Sequence, residues 1–196
     1  MTTAVSQSVT SVTPDSATPR AIRLTRVAML LAVGMAITFT ATQHERLAFD
    51  VAVTVCGLAG IALAHLAHAM VCRGRVGSGV ALSLGIVSLA AAIAVPFTVS
   101  VVGYALVIAA WALISSLLEF LSAVVNPGVR QDTTIVGGAG ILLALFTLLA
   151  REDPVAVVGF FGAYAIITGV FLGISAFDGR GAAAKSSALL DTNSPS

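Results

Sequence analysis

Charge is what this sequence has least of. Lys, Arg, Asp and Glu together make up 10% of its 196 residues, against about a quarter in a soluble domain, so the chain cannot clothe itself in polar surface. A water-dissolved globule is thereby excluded. The formal net charge is +1, too little basic surplus to recruit a nucleic acid. Cys56 and Cys72 are the only cysteines, 16 residues apart (72 − 56) in one apolar run. Two positions so far apart on one helix cannot meet, and no intrachain disulfide is expected. No Ser-His, Asp-Asp or His-Glu-x-x-His arrangement occurs, so no enzymatic activity and no cofactor are expected.

What the sequence does have is long apolar runs, with a mean hydropathy of +1.02. The clearest is Val101 to Val125, in which Glu119 is the one charged residue. A hydrocarbon core of roughly 30 Å needs about 20 apolar residues at about 1.5 Å rise each, so this stretch can span a bilayer with modest tilt. Similar runs cover residues 27–42, 47–71, 76–96, 134–150 and 155–177. The predicted fold is therefore all-α, a polytopic membrane protein of six transmembrane helices. The lipid bilayer is its first partner.

The runs alternate in length, 16, 21 and 17 residues for the odd ones and 25, 25 and 23 for the even ones, which suggests a hairpin repeated three times. Pro96, Pro127 and Pro154 sit at the bends between runs, where a missing N–H does least harm in lipid. Residues 1–19, rich in Ser, Thr and Val, and residues 179–196, rich in Gly, Ala and Ser, lack apolar periodicity and are predicted to be disordered tails. Arg20, Arg23 and Arg26 precede the first run as in a secretory signal, but no clean A-x-A site closes it, so an uncleaved first span is expected.

Orientation follows from the basic residues. With the N-terminus cytoplasmic, Arg20, Arg23, Arg26, Arg73, Arg75, Arg130, Arg180 and Lys185 lie inside, and only Arg46 and Arg151 outside. Both termini are then cytoplasmic.

The repeat is also visible in detail. Trp111-Ala-Leu-Ile-Ser-Ser116 aligns with Tyr164-Ala-Ile-Ile-Thr-Gly169, and Gly85-Ile86 with Gly140-Ile141, while the first hairpin matches only through Gly57-Leu-Ala-Gly60-Ile61. On these residues the stretch from Val27 to Asp178 resembles the HdeD-like family of short-repeat membrane proteins. The resemblance implies a bacterial plasma (inner) membrane protein supporting acid or envelope stress tolerance. It carries over no catalytic residues, because the shared pattern is one of packing, and it names no small-molecule partner.

Glu119 is the sharpest polar feature, since a carboxylate in the bilayer must be paired, protonated or hydrated. His65 lies six residues before the end of its run at Val71, as Glu119 does before Val125. Both runs point the same way, so the two side chains share a depth, about 9 Å above their helix ends. His68, one turn on from His65, faces the same side. An embedded cluster of His65, His68 and Glu119 is therefore predicted, either as a structural pairing or as the coupling site of a small proton-coupled transporter or channel. His65, His68 and Cys72 also suit a soft metal by atom type, but no second His/Cys group completes a ligand set, and no metal is expected.

Glycines carry the packing. Gly169-x-x-x-Gly173 and Gly137-Gly138-Ala-Gly140 remove side-chain bulk and let helix backbones approach. They point to packing within the subunit, or to a homo-oligomer through the sixth run. Asp50 opens the second run and reads as a carboxylate at a helix N-terminus. Trp111, mid-run, reads as a packing residue rather than an interfacial anchor.

Overall fold

In the computed structural model of the full chain, the described residues are 20–44, 46–125 and 130–192, with side chains described for 20–44, 46–125 and 131–177. The N-terminal tail expected over 1–19, and Pro127, lie outside them. The elements are α1 (Arg20–Phe39), α2 (Leu47–Val71), α3 (Ser78–Ala94), α4 (Val101–Val125), α5 (Arg130–Leu149) and α6 (Pro154–Thr192), with 3-10 turns at Ala41–Gln43 and Val95–Phe97. The described residues contain no strand, and six of their helices are long and apolar enough to cross a bilayer. The protein is an all-α polytopic membrane protein.

α2 and α4 occupy the stretches read as spans from the sequence. The others differ at their ends. α1 starts at Arg20 and α5 at Arg130, so Arg20, Arg23, Arg26, Arg130 and Asp132, which flank the runs read from the sequence, belong to helices. Arg20, Arg23, Arg26 and Asp132 meet partners on other helices, described below. α6 stays helical to Thr192, beyond the boundary expected at 178, through an Ala-rich segment of good helix formers.

Local chemistry sets the turns. Pro154 is the first residue of α6, where its missing N–H costs nothing, and Asp153 Oδ1 accepts hydrogen bonds from the N–H groups of Val155 and Ala156 at 3.0 and 3.1 Å. Pro96 falls in the 3-10 turn after α3. The α2–α3 connector turns on Gly74 and Gly77, at φ 80° and 88°, a left-handed region that residues with a Cβ disfavour.

The helices close into a ring. The closest-packed neighbours are α4 with α5, α2 with α3, and α1 with α6, while the α1–α2, α3–α4 and α5–α6 interfaces are looser. The three hairpins expected from the sequence are thus joined side by side, with the tightest seams between hairpins and not within them. Each odd helix lies against two even ones. The even helices supply most of the fully buried core, including Leu58, Tyr104, Ile108, Val157, Val158 and Phe161. Their outward faces carry exposed apolar side chains such as Leu63, Leu106, Leu117 and Ile167, a surface suited to lipid and not to water.

Glycines define the seams. A Cβ on Gly140 of α5 would meet Ser116 Oγ and, at 3.3 Å, the Ala112 carbonyl of α4, and one on Gly137 would meet the Phe120 ring at 3.1 Å. Gly138 faces open space. Gly169 and Gly173 of α6 look onto Leu31 and Val27 of α1, at 3.0 and 3.4 Å. That stripe is therefore occupied within the chain.

Candidate functional site

Near the end of the bundle where α1 starts, side chains from several helices converge on a small cavity. Its lining includes Arg26 of α1, Ile61 and His65 of α2, Ser88 of α3, Trp111, Ser115 and Glu119 of α4, and Tyr164 of α6. The free volume is about 10 Å³, at the lower limit for a single ordered water.

Glu119 is only 3% exposed, and the partner that compensates it is Arg26, whose guanidinium donates a hydrogen bond to Oε1. The pairing expected between Glu119 and His65 is not the one observed. His65 does share the cavity, as equality of depth requires, but the guanidinium has taken the carboxylate: it is permanently charged and better matched to a carboxylate than an imidazole is. His68 is not among the cavity residues. Ser115 Oγ is buried without a hydrogen-bond partner.

Arg26 has a sequence signal. Arg20, Arg23 and Arg26 recur at a three-residue interval, which places them along one face of a helix. Each has a partner on another helix. Arg20 lies over the Phe177 ring, 4.7 Å from its centroid. Arg23 donates to Asp132 Oδ2 at 3.1 Å and to Ser175 Oγ at 3.3 Å, and Ser175 donates to the same carboxylate oxygen at 2.5 Å. Arg26 reaches deepest. The three form tiers that tie α1 to α4, α5 and α6.

Above the cavity the repeat-related aromatics meet. Trp111 packs edge-on against Tyr164, with ring centroids 6.0 Å apart, and against Phe161 at 5.6 Å. Its Nε1–H donates to Ser88 Oγ at 3.0 Å, which satisfies a buried indole and holds α3 on α4. Trp111 is a packing residue at the centre of the molecule.

A second polar group lies at the opposite end. Asp50 lies in the first turn of α2, as its position in the sequence suggests, but it is fully buried and its Oδ1 lies 2.5 Å from His44 Nδ1. The N–H groups of Phe49 and Asp50 bond to the Arg46 carbonyl instead, which leaves the carboxylate free to turn inward. One turn on, Thr54 Oγ1 and the Tyr104 hydroxyl are 2.7 Å apart, linking α2 to α4. His44 carried no signal, because a histidine in a connector reads as solvated.

Between the two polar groups the core is apolar: Leu58, Ile108 and Phe161 are fully buried, and on α2 and α4 they fall between Thr54 and His65 and between Tyr104 and Trp111. No group of His, Cys, Asp and Glu among the described residues is arranged to hold a metal ion. In comparisons with protein-family models, curated proteins and solved structures, nothing matches this chain.

Proposed function

We propose that this integral membrane protein is non-enzymatic, of the HdeD-like kind, and supports acid or envelope stress tolerance in a bacterial plasma membrane, with both termini cytoplasmic. The observation that carries the reading is the closure of the interior. Glu119, the buried carboxylate of the cavity, is paired with an arginine, and the space beside it has room for about one water. A solute pathway needs a continuous polar cavity, and fully buried Leu58, Ile108 and Phe161 stand between the two polar groups. Such an interior favours a packing role in the membrane over passage through it.

The alternative is a proton-coupled transporter or channel using Glu119 and His65, which draws on their common cavity. Survival of a deletion strain at acid pH tests the first reading. Complementation by the wild-type chain is expected to restore survival, and failure at normal protein level would remove the stress-tolerance assignment.

A further inference from the structure

The His44–Asp50 contact holds a countable proton. His44 Nε2 is 2.9 Å from the Ile37 carbonyl and 3.3 Å from Thr40 Oγ1. A carbonyl can only accept, and the Thr40 hydroxyl spends its hydrogen on the Ala36 carbonyl at 2.6 Å. Nε2 must therefore carry a hydrogen. The other ring nitrogen faces Asp50 Oδ1 at 2.5 Å, a separation that requires one proton between them, on nitrogen or on oxygen. The remaining carboxylate oxygen, Oδ2, is buried and has no hydrogen-bond partner.

We propose that His44 and Asp50 form a proton-binding site at the end of the bundle opposite Glu119, which holds one proton between imidazole and carboxylate and frees the α1–α2 corner when it takes up a second. The only vacant position for that proton is Oδ2. Occupying it turns the ion pair into a neutral acid beside an imidazolium, in a place where His44 is 4% exposed and Asp50 not at all. A buried cation without a counter-charge is not tolerated. The part able to yield is the short connector. It consists of one 3-10 turn, and His44 is its single buried side chain among the described residues.

Few other charges face the pair. From α4 the titratable neighbour is Tyr104, hydrogen-bonded to Thr54. α1 offers Thr40 and the Ile37 carbonyl, which do not titrate, and α3 has no ionisable residue. Arg46 is exposed beside the pair, and at the same end of α6 Arg151, Glu152 and Asp153 are all exposed. Glu45 is outside the described residues. The site is independent of the Arg26–Glu119 pair and of the stress-tolerance reading, since its readout is made on the isolated protein.

Hydrogen exchange on the full-length protein in lipid nanodiscs tests it. After correction for intrinsic chemistry, protection of amides 36–50 in the wild type is expected to hold between about pH 7.5 and about pH 5, because the closed pair already carries the first proton, and to fall at least about tenfold from about pH 5 to about pH 2.5, where the carboxylate of the opened corner is protonated. In Asp50→Asn the amide N–H donates to Nδ1 and the closed pair carries only the proton of a neutral imidazole, so protection is expected to begin falling at higher pH than in the wild type, between about pH 7 and about pH 5. No loss in the wild type below about pH 5, or a loss that begins at the same pH in both proteins, overturns the proposal. If Asp50→Asn does not fold, nitrogen NMR of His44 in the wild type decides. A proton on Nε2 at both ends of that range, with the Nδ1 proton shared with Asp50 at the upper end and held on nitrogen alone at the lower, supports the site; an unprotonated Nε2 sinks it.

Discussion

Arg26 and Glu119, 93 residues apart in sequence, meet in an ion pair that ties the first helix to the fourth across the bundle. Glu119 is almost wholly buried, while Arg26 keeps 21% of its side chain exposed. Removing one partner of such a pair costs much more than the pair contributes, because the other charge is left uncompensated. Arg26→Met or Glu119→Leu alone is therefore expected to destabilise the protein by on the order of 3 kcal/mol. The double variant Arg26→Met, Glu119→Leu is expected to recover most of the loss. Thermal unfolding of the four proteins in one detergent checks the cycle, and strictly additive losses would show that the two side chains are not coupled.

Trp111 and Ser88 make a smaller version of the same argument. Ser88→Ala strands a buried indole N–H at a cost of about 1–3 kcal/mol. Ser88→Ala in a Trp111→Phe background removes both polar partners and is expected to cost less than in the wild type. The comparison is between two melting-temperature shifts.

The glycine seams predict position-specific damage. Gly140→Val pushes two branched methyls toward Ser116 and the Ala112 carbonyl and is expected to cost more than about 2 kcal/mol. Gly138→Ala, which faces open space, is expected to be neutral or slightly stabilising, as Ala is the better helix former. Equal effects at the two positions would contradict the packing of α5 on α4.

Gly169→Leu separates packing within the chain from association between chains. Its Cβ would meet Leu31 and Leu30 of α1, so the variant is expected to melt lower while particle size in detergent stays as in the wild type. A change in oligomer size with unaltered melting would instead place the sixth helix at a subunit interface.

Most of the fold was legible because the solvent dictates it: in hydrocarbon, each apolar run must close its own backbone hydrogen bonds as a helix. Glu119 and His65, which rise per residue sets at one depth, line one cavity. What depth cannot supply is azimuth. The helices are apolar nearly all round, so nothing in their patterning shows which neighbour each prefers, and the tight seams between hairpins emerge only from matched shapes such as Gly140 on Ser116 and Gly34 on Ile166. Arg26 was assigned to a flanking basic segment because its charge suited the orientation rule. Its three-residue spacing from Arg23 and Arg20 was the signal for a helical face directed inward. His44 could not have been found, since its burial depends on how the connector folds back over α1.

Proton flux into proteoliposomes containing the purified wild-type chain, under an imposed pH gradient and with the potential clamped, tests most directly whether the interior is closed packing. The account predicts a rate no higher than that of protein-free vesicles. A protein-dependent flux that Glu119→Gln abolishes, in a variant still folded, would contradict it and make Glu119 part of a pathway.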